Sequence, residues 1–411
     1  MTIETPIKPQ KPWLHWLRYL APFLDQDVVH WSLAARLLRW LTFLWLFLGL
    51  LVLFSASFPV ADAEYGDGLY YFKRQLAWIA LGMVGFSFAV RSPLHRLLNL
   101  SRWLMPLMVG LILITLIPGV GTTVNGATRW LTVFFIPIQP SELIKPFLVL
   151  QSASIFGRWP KLSPAVRGVW LGIFALMVGG ILLQPNLSTA ALCGMSLWLM
   201  AMAAGLRWFT LWTTAGSGLL LAVISIGIQD YQRRRVMSFL NPWADPMRDG
   251  YQLIQSLLAI GSGGMWGSGY GLSQQKLFYL PIQYTDFIFS VFAEEFGLAG
   301  GILLLLLLAS YATLAFWVAL KARHAIHQLI VVGAMIFLVG QALINIGVAT
   351  GLLPTTGLPL PFFSYGGSSV IASLAIAGLL VRVARESSAA EVVSLASRRR
   401  PPEGQQTPEN P

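Results

Sequence analysis

Charged side chains are scarce in this 411-residue sequence: they make up 11% of it, against 56% for hydrophobic residues. Soluble globular domains carry about 25% charged residues. Most of the chain must therefore face something other than water, which excludes a soluble globular domain. The 28 basic and 17 acidic residues give a net charge of +11. In so apolar a chain, this surplus indicates basic residues retained in cytoplasmic loops, and no nucleic-acid partner is expected.

Cysteine and the common catalytic motifs are also missing. Cys193 is the single cysteine, so no disulfide can form within the chain, and its apolar surroundings favour a packing role. The patterns GxxxxGK[ST], HExxH and GxSxG do not occur. All five histidines fall in segments that we predict to be cytoplasmic, which excludes His-based catalysis or a zinc site on the outer face.

Long apolar runs dominate what is present. A membrane-spanning helix needs about 20 mostly apolar residues. Such runs lie near 37–58, 74–90, 103–118, 140–157, 168–184, 187–205, 209–229, 288–320, 328–352 and 367–383. The fold is thus predicted to be an all-α polytopic membrane protein with about ten transmembrane helices. An even number of spans puts both termini on one side, and the bias of Lys and Arg predicts that this side is cytoplasmic.

The predicted organisation has three parts. Residues 1–36 form a cytoplasmic N-terminal segment, 37–385 form the ten-span domain, and 386–411 form a cytoplasmic tail that is disordered by composition. Two outer connections are long, at about 119–139 and 230–287. The second is rich in Trp, Tyr, Gly and Leu, so we expect short, partly re-entrant helices there.

A first polar cluster occupies NGATRWLTVFFIPIQPSELIKP, residues 125–146. Pro140 suits the first turn of a helix, which would place Glu142 and Lys145 on one face and within reach of each other. The pair could neutralise itself and lock two spans together, or it could join Arg129 in a cationic pocket for an anionic headgroup. Both interpretations stay open for Glu142. Arg129 and Lys145 favour the pocket, because basic residues are unexpected on the outer face.

Three further segments have a structural interpretation. LLQPNLSTA, residues 182–190, predicts a turn in which Asn186 caps the next helix. The glycine-rich run at 261–271 predicts close backbone packing, because it lacks the lysine of a nucleotide-binding loop. The loop at 352–369 has three prolines, so it cannot form a continuous helix and must be buried in protein or line a cavity.

Asp286 is the strongest candidate for chemistry. It lies at the start of the eighth apolar run, between Tyr284 and Phe287. Partial burial of a carboxylate raises its pKa and makes it a stronger base. A helix-capping role is the alternative, and the residues alone leave both open. We expect one of the deeper residues Glu294 and Glu295 to face the bundle and pair with a cation.

Six motifs in order resemble the signatures of the SEDS family (shape, elongation, division and sporulation) over about residues 37–385. They are NGATRW, IQPSELIK, QPNLSTA, GYQLIQSLLAIGSGGMWGSGYG, LPIQYTDFIFSVFAEEFGLAGG and LPLPFFSYGGSS. The QKLFYLP run beside TDFIF favours the division branch, FtsW, over the elongation branch, RodA. Some positions depart from the family pattern: Asn186 and Ser188 replace Asp and Gly, Thr356 stands where division members often carry Lys, and Ile282 and Tyr284 stand where Glu and His often occur.

The resemblance implies a peptidoglycan glycosyltransferase that polymerises lipid II, with Asp286 as general base. Arg129 and Lys145 would then bind the pyrophosphate, and Glu142 would orient one of them. Further substrate-binding residues are expected at Gln139, Ser141, Arg233, Arg235, Lys276 and Glu295. The leaving pyrophosphate could also use a divalent cation, Mg²⁺ or Mn²⁺.

The resemblance further implies a place and partners. The protein would lie in the bacterial inner membrane, at the division septum, with a class B penicillin-binding transpeptidase and other division proteins. Two alternatives from other classes are a lipid II flippase, since broken helices and intramembrane charge also suit a transporter, and a non-catalytic division scaffold.

Overall fold

The computed structural model describes residues 28, 31–124, 127–133 and 136–399, so Asn125 and Gly126 of the first motif lie outside the described residues. The helices are α1 Leu33–Tyr65, α2 Tyr70–Arg91, α3 Leu94–Ile114, α4 Pro140–Leu143, α5 Lys145–Phe156, α6 Pro164–Leu183, α7 Leu187–Ala203, α8 Trp208–Ile228, α9 Asp230–Leu240, α10 Tyr251–Ser262, α11 Ile288–Lys321, α12 Ala325–Met335, α13 Gln341–Ala349 and α14 Gly367–Arg399. The five residues between α12 and α13 form a π-helical turn that joins them into one rod.

The predicted polytopic helical fold is confirmed. Within the described residues, seven helical rods are long and apolar enough to cross a membrane: α1, α3, α6, α8, α11, α12–α13 and α14. Every predicted apolar run lies largely in a helix, but α2, the α4–α5 pair and the 17-residue α7 fall short of that length or apolarity. The count of ten spans therefore stays a prediction.

Helix ends follow local capping chemistry. The Ser32 hydroxyl accepts a hydrogen bond from the Ala35 N–H at the start of α1, and Gly66 ends this helix with φ of +66°. The Asn186 side chain accepts a hydrogen bond from the Thr189 N–H at the start of α7. The predicted capping role of Asn186 is thus confirmed.

The core lies between α14 and the helices around it. α14 is mostly buried as far as residue 387 and packs closely on α2, where Gly82 faces Leu374. α8 lies at the edge, and Leu211 is its one buried residue. Cys193 is fully buried in the core, as its predicted packing role requires.

Strands β1 (Gly121–Val124), β2 (Ala127–Val133) and β3 (Ile136–Ile138) form an antiparallel sheet in chain order. This small sheet was not predicted and is an addition to the helical fold. Its β-branched and aromatic residues suit a pleated surface, and Thr122 lies opposite Trp130 while Leu131 lies opposite Ile138. We call the end of the bundle that carries this sheet, together with segments 229–287 and 350–366, the loop end.

The segment 229–287 contains two short helices, α9 and α10, as predicted, whereas its re-entry into the membrane stays a prediction. The predicted close packing of the glycine run is confirmed. A Cβ atom on Gly267 would lie 2.1 Å from the Glu295 carbonyl oxygen, and one on Gly263 would lie 2.2 Å from that of Ala293. Gly297, with φ of +63°, breaks α11 at the same contact.

The boundary at residue 386 differs from the prediction. α14 continues to Arg399, whereas we expected disorder from residue 386 onward. The Glu386 carboxylate accepts hydrogen bonds from Arg382 Nε, at 2.8 Å, and from the Leu94 N–H, at 3.2 Å, so this residue is tied to α3. Residues 400–411 lie outside the described residues.

Gly49 of α1 lies against the backbone of the loop 350–366, so a substitution there measures how much this contact contributes to stability. A Cβ atom on Gly49 would lie 2.2 Å from the carbonyl oxygen of Phe362. We expect Gly49→Ala to reduce stability by about 1–3 kcal/mol, because backbone atoms cannot yield as a side chain can. The measurement is the thermal midpoint of the purified protein in detergent. Gly85→Ala on α2, where a Cβ meets no atom within 4 Å, is the control, and an equal shift in both variants would contradict the expectation.

Candidate active site at the loop end

Asp286 lies half-buried at the loop end, immediately before α11. Its backbone carbonyl accepts a hydrogen bond of 2.8 Å from Asn345 Nδ2, which also donates to the carbonyl of Leu358 at 2.8 Å. Phe287 is the N-cap residue of α11, and no side chain caps this helix. The capping alternative for Asp286 is therefore wrong.

The loop 350–366 braces the backbone around Asp286. Ser364 Oγ donates to the carbonyl of Thr285 at 2.6 Å and accepts from the N–H of Leu360 at 2.8 Å. The N–H of Tyr365 donates to the carbonyl of Tyr284 at 2.9 Å. The loop also contributes buried apolar side chains, including Phe363, as the prediction of a protein-buried irregular segment required.

Gly357 brings Asp286 and Arg235 together. A Cβ atom on Gly357 would lie 3.3 Å from Asp286 Oδ2 and 3.6 Å from Arg235 Nη1, so both charged groups border the same small space. Arg235 Nη1 donates to the carbonyl of Thr355 at 3.2 Å, and its guanidinium lies 4.5 Å from the Tyr231 ring centre. Gly357 has φ of +71°, which favours glycine.

Arg129 supplies a second guanidinium. From β2, its Nε donates to the carbonyl of Gln184 at 3.2 Å and its Nη2 donates to that of Pro185 at 2.5 Å. Burial raises the pKa of Asp286 above its ordinary value, while the positive charges of Arg235 and Arg129 partly offset this rise. The predicted rise in the pKa of Asp286 is thus present.

The side chains of Arg233 and Arg235 have different surroundings, although both lie in the same three-arginine run. Arg233 forms an exposed ion pair with Asp230 at 2.8 Å, whereas Arg235 is half-buried beside Asp286. Substrate binding by Arg233 stays a prediction, because the structure places this side chain on the surface of α9 and not beside Asp286.

Lys145 and Glu142 form a buried ion pair with Nζ 2.6 Å from Oε1. Lys145 Nζ also donates to Gln341 Oε1 at 2.9 Å, and Gln341 Nε2 donates to the carbonyl of Pro359 at 2.7 Å. This is the self-neutralising pair that the sequence left open. Direct pyrophosphate binding by Lys145 stays a prediction, and it would require the pair to open. Through Gln341, the pair instead holds the loop that carries Gly357.

Two other predicted residues lie beside this pair. The N–H of Gln139 donates to Ser368 Oγ at 3.0 Å, which joins the start of α4 to α14. Ser141 is fully buried in α4. Neither arrangement brings the residue to Asp286, so their roles in substrate binding stay predictions.

Lys276 and Glu295 form another buried ion pair, at 2.8 Å. Lys276 Nζ also donates to Ser55 Oγ at 2.7 Å, so the pair ties α1 to α11 and to the segment 229–287. Glu294 is buried as well and accepts hydrogen bonds from Ser273 Oγ, at 2.5 Å, and from the N–H of Gln274, at 2.9 Å. The expectation that one of these glutamates pairs with a cation is confirmed for Glu295, whereas substrate contact by either member of the pair stays a prediction.

The donor set near Asp286 does not suit a divalent cation. Within the described ranges, no three His, Cys, Asp or Glu side chains come together to hold a metal. Asp286 is flanked by two guanidinium groups, which repel a dication. The predicted Mg²⁺ or Mn²⁺ stays a prediction.

An apolar groove of about 520 Å³ runs along α6, α7 and α8. Leu182 and Leu187 line it and flank the turn whose carbonyls hold Arg129. The groove and the charged site are therefore joined through one turn. An amphiphile with an anionic head and a long apolar tail matches both parts.

Sequence reasoning missed Gly357, Gln341 and Asn345. The two amides were a readable signal, because polar side chains inside the apolar run 328–352 need partners at membrane depth. Gly357 gave no comparable signal, since its importance depends on which side chains the fold brings against it.

The buried pair of Lys276 and Glu295 makes a stability prediction. We expect Lys276→Met to lower the free energy of unfolding by about 3–5 kcal/mol, because it leaves the Glu295 carboxylate buried without its cation. The double variant Lys276→Met/Glu295→Leu should recover about half of that loss or more, since no charge then remains buried. The measurement is the thermal midpoint in detergent.

The exposed pair of Lys73 and Asp67 supplies the control. Lys73→Met should change stability by less than about 1 kcal/mol, because its partner keeps its hydration. If the double variant is less stable than Lys276→Met, the loss of stability in Lys276→Met does not come from the unpaired carboxylate of Glu295.

Residues 35–389 match the FtsW/RodA/SpoVE family, which is described as "Cell cycle protein". A probable peptidoglycan glycosyltransferase FtsW of Synechocystis sp. is 57% identical over 385 residues, covering 94% of this chain and 98% of the relative. Stage V sporulation protein E of Bacillus subtilis is 37% identical over 353 residues, covering 84% and 96%.

Solved structures of related chains have a similar fold. A chain from "Structural coordination of polymerization and crosslinking by a peptidoglycan synthase complex" is similar with a TM-score of 0.69 and 29% identity, covering 87% of this chain and 98% of that one. RodA of Thermus thermophilus is similar with a TM-score of 0.64 and 28% identity, covering 88% and 99%. The chain belongs to the FtsW/RodA/SpoVE family of cell cycle proteins.

Proposed function

We propose that this protein is a peptidoglycan glycosyltransferase that polymerises lipid II during septal cell-wall synthesis. The proposal depends on the surroundings of Asp286. Its carboxylate borders the same small space as the Arg235 guanidinium, burial raises its pKa, and the charges of Arg235 and Arg129 partly offset that rise. The family relationship and the name of the 57% identical relative support the same activity.

In this proposal, one carboxylate, two arginines and the apolar groove each have a separate role in the reaction. Asp286 takes the proton of the acceptor sugar 4-hydroxyl, whose oxygen attacks the anomeric carbon of the donor with inversion. Undecaprenyl pyrophosphate leaves with the electrons of the broken bond. Arg235 and Arg129 stabilise the charge that develops on it, in a partly desolvated site where fixed cations act strongly. The groove along α6, α7 and α8 accepts the polyprenyl tail.

The buried pair of Glu142 and Lys145 has a positioning role in this proposal. It holds Gln341, which holds the loop at Pro359, and this loop places Gly357 over Asp286 and Arg235. Loss of the pair would therefore misplace the charged groups rather than remove a ligand for the pyrophosphate.

Placement and partners follow from the same proposal. The protein is a multi-pass membrane protein, and we propose cytoplasmic termini, an outward-facing loop end and location in the bacterial inner membrane at the septum. We also propose a class B penicillin-binding transpeptidase as partner, together with other division proteins. The similar chain from a solved peptidoglycan synthase complex supports the transpeptidase.

The test of the activity is glycan-strand synthesis from purified lipid II in liposomes, with and without the transpeptidase. We expect Asp286→Asn to slow polymerisation by about 10²–10⁴-fold, the usual contribution of a general base. Asp230→Asn changes an exposed carboxylate of the same outer segment and should leave the rate unchanged.

Two outcomes would contradict this proposal. Equal polymer from wild type and Asp286→Asn would remove the base assignment. Translocation of the lipid II headgroup across the liposome membrane by a wild-type protein that makes no polymer would instead favour the flippase.

The acid limb of the pH–rate profile supplies a second prediction. Asp286 must be deprotonated to act, so activity falls as the pH drops through its raised pKa. Arg235→Gln removes a charge that lowers this pKa, so the acid limb should move to higher pH. Arg235→Lys should move it less, and Arg233→Gln, which changes an exposed arginine, should leave it in place. An acid limb that is the same in wild type and Arg235→Gln would show that Asp286 does not set it.

A further inference from the structure

Five tyrosines gather at the loop end, one of them two residues before Asp286, and have no part in the chemistry above. We call this group the tyrosine ledge; it consists of Tyr65, Tyr70, Tyr71, Tyr284 and Tyr365. They come from the ends of α1 and α2, from the segment before α11 and from the loop before α14. Three separate parts of the chain therefore converge on one aromatic surface at the loop end.

The inner part of the ledge is joined to the active site. The Tyr71 and Tyr284 rings stack with centres 4.6 Å apart, and Tyr365 meets Tyr71 edge-on at 5.0 Å. Tyr284 lies two residues before Asp286, and its carbonyl accepts the N–H of Tyr365. The ledge thus begins on the same short segment that carries Asp286.

The outer part of the ledge is open. Tyr65 is 51% exposed, and its ring stacks on that of Tyr70 with centres 3.8 Å apart and planes 12° from parallel. Arg74 Nη1 donates to the Tyr70 hydroxyl at 2.8 Å, and the exposed Glu64 accepts from the Tyr71 hydroxyl at 2.6 Å. Stacked rings edged by a carboxylate and a guanidinium therefore face outward.

This combination of groups has the chemistry of a carbohydrate site. The C–H faces of a pyranose ring pack on the negative face of an aromatic ring, and its hydroxyl groups bond to carboxylate and guanidinium groups at the edge. Tyr65 is too exposed to serve as interior packing alone, and Glu64 and Arg74 place polar groups at the edge of the rings, where the hydroxyl groups of a saccharide would bond to them.

We propose that the tyrosine ledge binds the sugars of the glycan strand next to the bond being formed. The inner stack of Tyr71 and Tyr284 aligns the ledge with Asp286, and the outer pair of Tyr65 and Tyr70 contacts the saccharide. The inference rests on the proposed polymerase function and adds a strand-holding site to it. Such a site keeps the strand in place between successive additions and so lengthens the product.

Binding provides a test that is independent of turnover. The probe is a lipid-free tetrasaccharide of the glycan without peptide stems, titrated into the purified Asp286→Asn protein. Adding Tyr65→Ala and Tyr70→Ala together should weaken binding by about threefold to tenfold, the range for loss of aromatic contacts. Tyr65→Phe with Tyr70→Phe keeps both rings and should retain binding within about twofold.

Strand length provides the second readout, in protein with Asp286 intact. Tyr65→Ala/Tyr70→Ala should shorten the strands made from lipid II, while the rate of the first bond in a single turnover stays within about twofold of wild type. Trp243→Ala changes a residue of similar exposure (64%) that lies in the segment 229–287 and is not part of the ledge, so it should leave both quantities unchanged.

The outcomes separate this inference from the proposed function. Unchanged tetrasaccharide binding in the double Ala variant would overturn the ledge, whatever the polymerase assay shows. Loss of the first bond in parallel with strand length would also overturn it, because the tyrosines would then act by positioning Asp286. Binding that is lost only for a probe carrying peptide stems would assign the ledge to peptide instead. Wild-type protein that binds the tetrasaccharide but makes no polymer would contradict the polymerase and leave a saccharide site.

Discussion

Irregular backbone inside a helical membrane bundle must find hydrogen-bond partners, and this requirement organises the loop end. The segment 350–366 leaves the helical pattern, so its free carbonyl and N–H groups take side chains as partners: Gln341, Asn345 and Ser364 serve Pro359, Leu358 and Leu360. The same Asn345 and Ser364 also bond the backbone at Asp286 and Thr285. Two of these three side chains, Asn345 and Ser364, therefore satisfy the loop and position the backbone at Asp286 at the same time.

Buried charge is the second constraint, and it divides the basic residues into two groups. Lys145 and Lys276 are buried, and each has a carboxylate within 3 Å. Their charges are therefore neutralised in ion pairs that stabilise the packing of the bundle. Arg129 and Arg235 bond to backbone carbonyls instead, which fixes their direction without neutralising them. The positive potential near Asp286 comes from this second group. Lysine and arginine thus have different parts here, in keeping with the planar fork of donors that arginine alone provides.

Much of the fold could be predicted because it follows from short-range patterns. Apolar runs located the helices, and the Asn186 cap and the packed glycine run followed from local chemistry. The difference between Arg233 and Arg235 could not be predicted in this way, because it depends on which face of α9 meets the loop. The small sheet was missed because its short strands stabilise one another only after they pair. Burial of Asp286 was expected from its neighbours, whereas its meeting with Arg235 over Gly357 required the tertiary structure.

The exposure of α8 has a consequence for how a substrate arrives. This helix buries one residue against the bundle, and the rest of its mostly apolar surface, which a membrane would cover, borders the groove. A molecule whose tail lies in that groove never has to leave the bilayer on its way to the charged site. Its encounter with the protein is then a search in two dimensions, governed by its number per unit area of membrane. The concentration in the surrounding water would matter little, and crowding within the membrane plane would set the rate of supply.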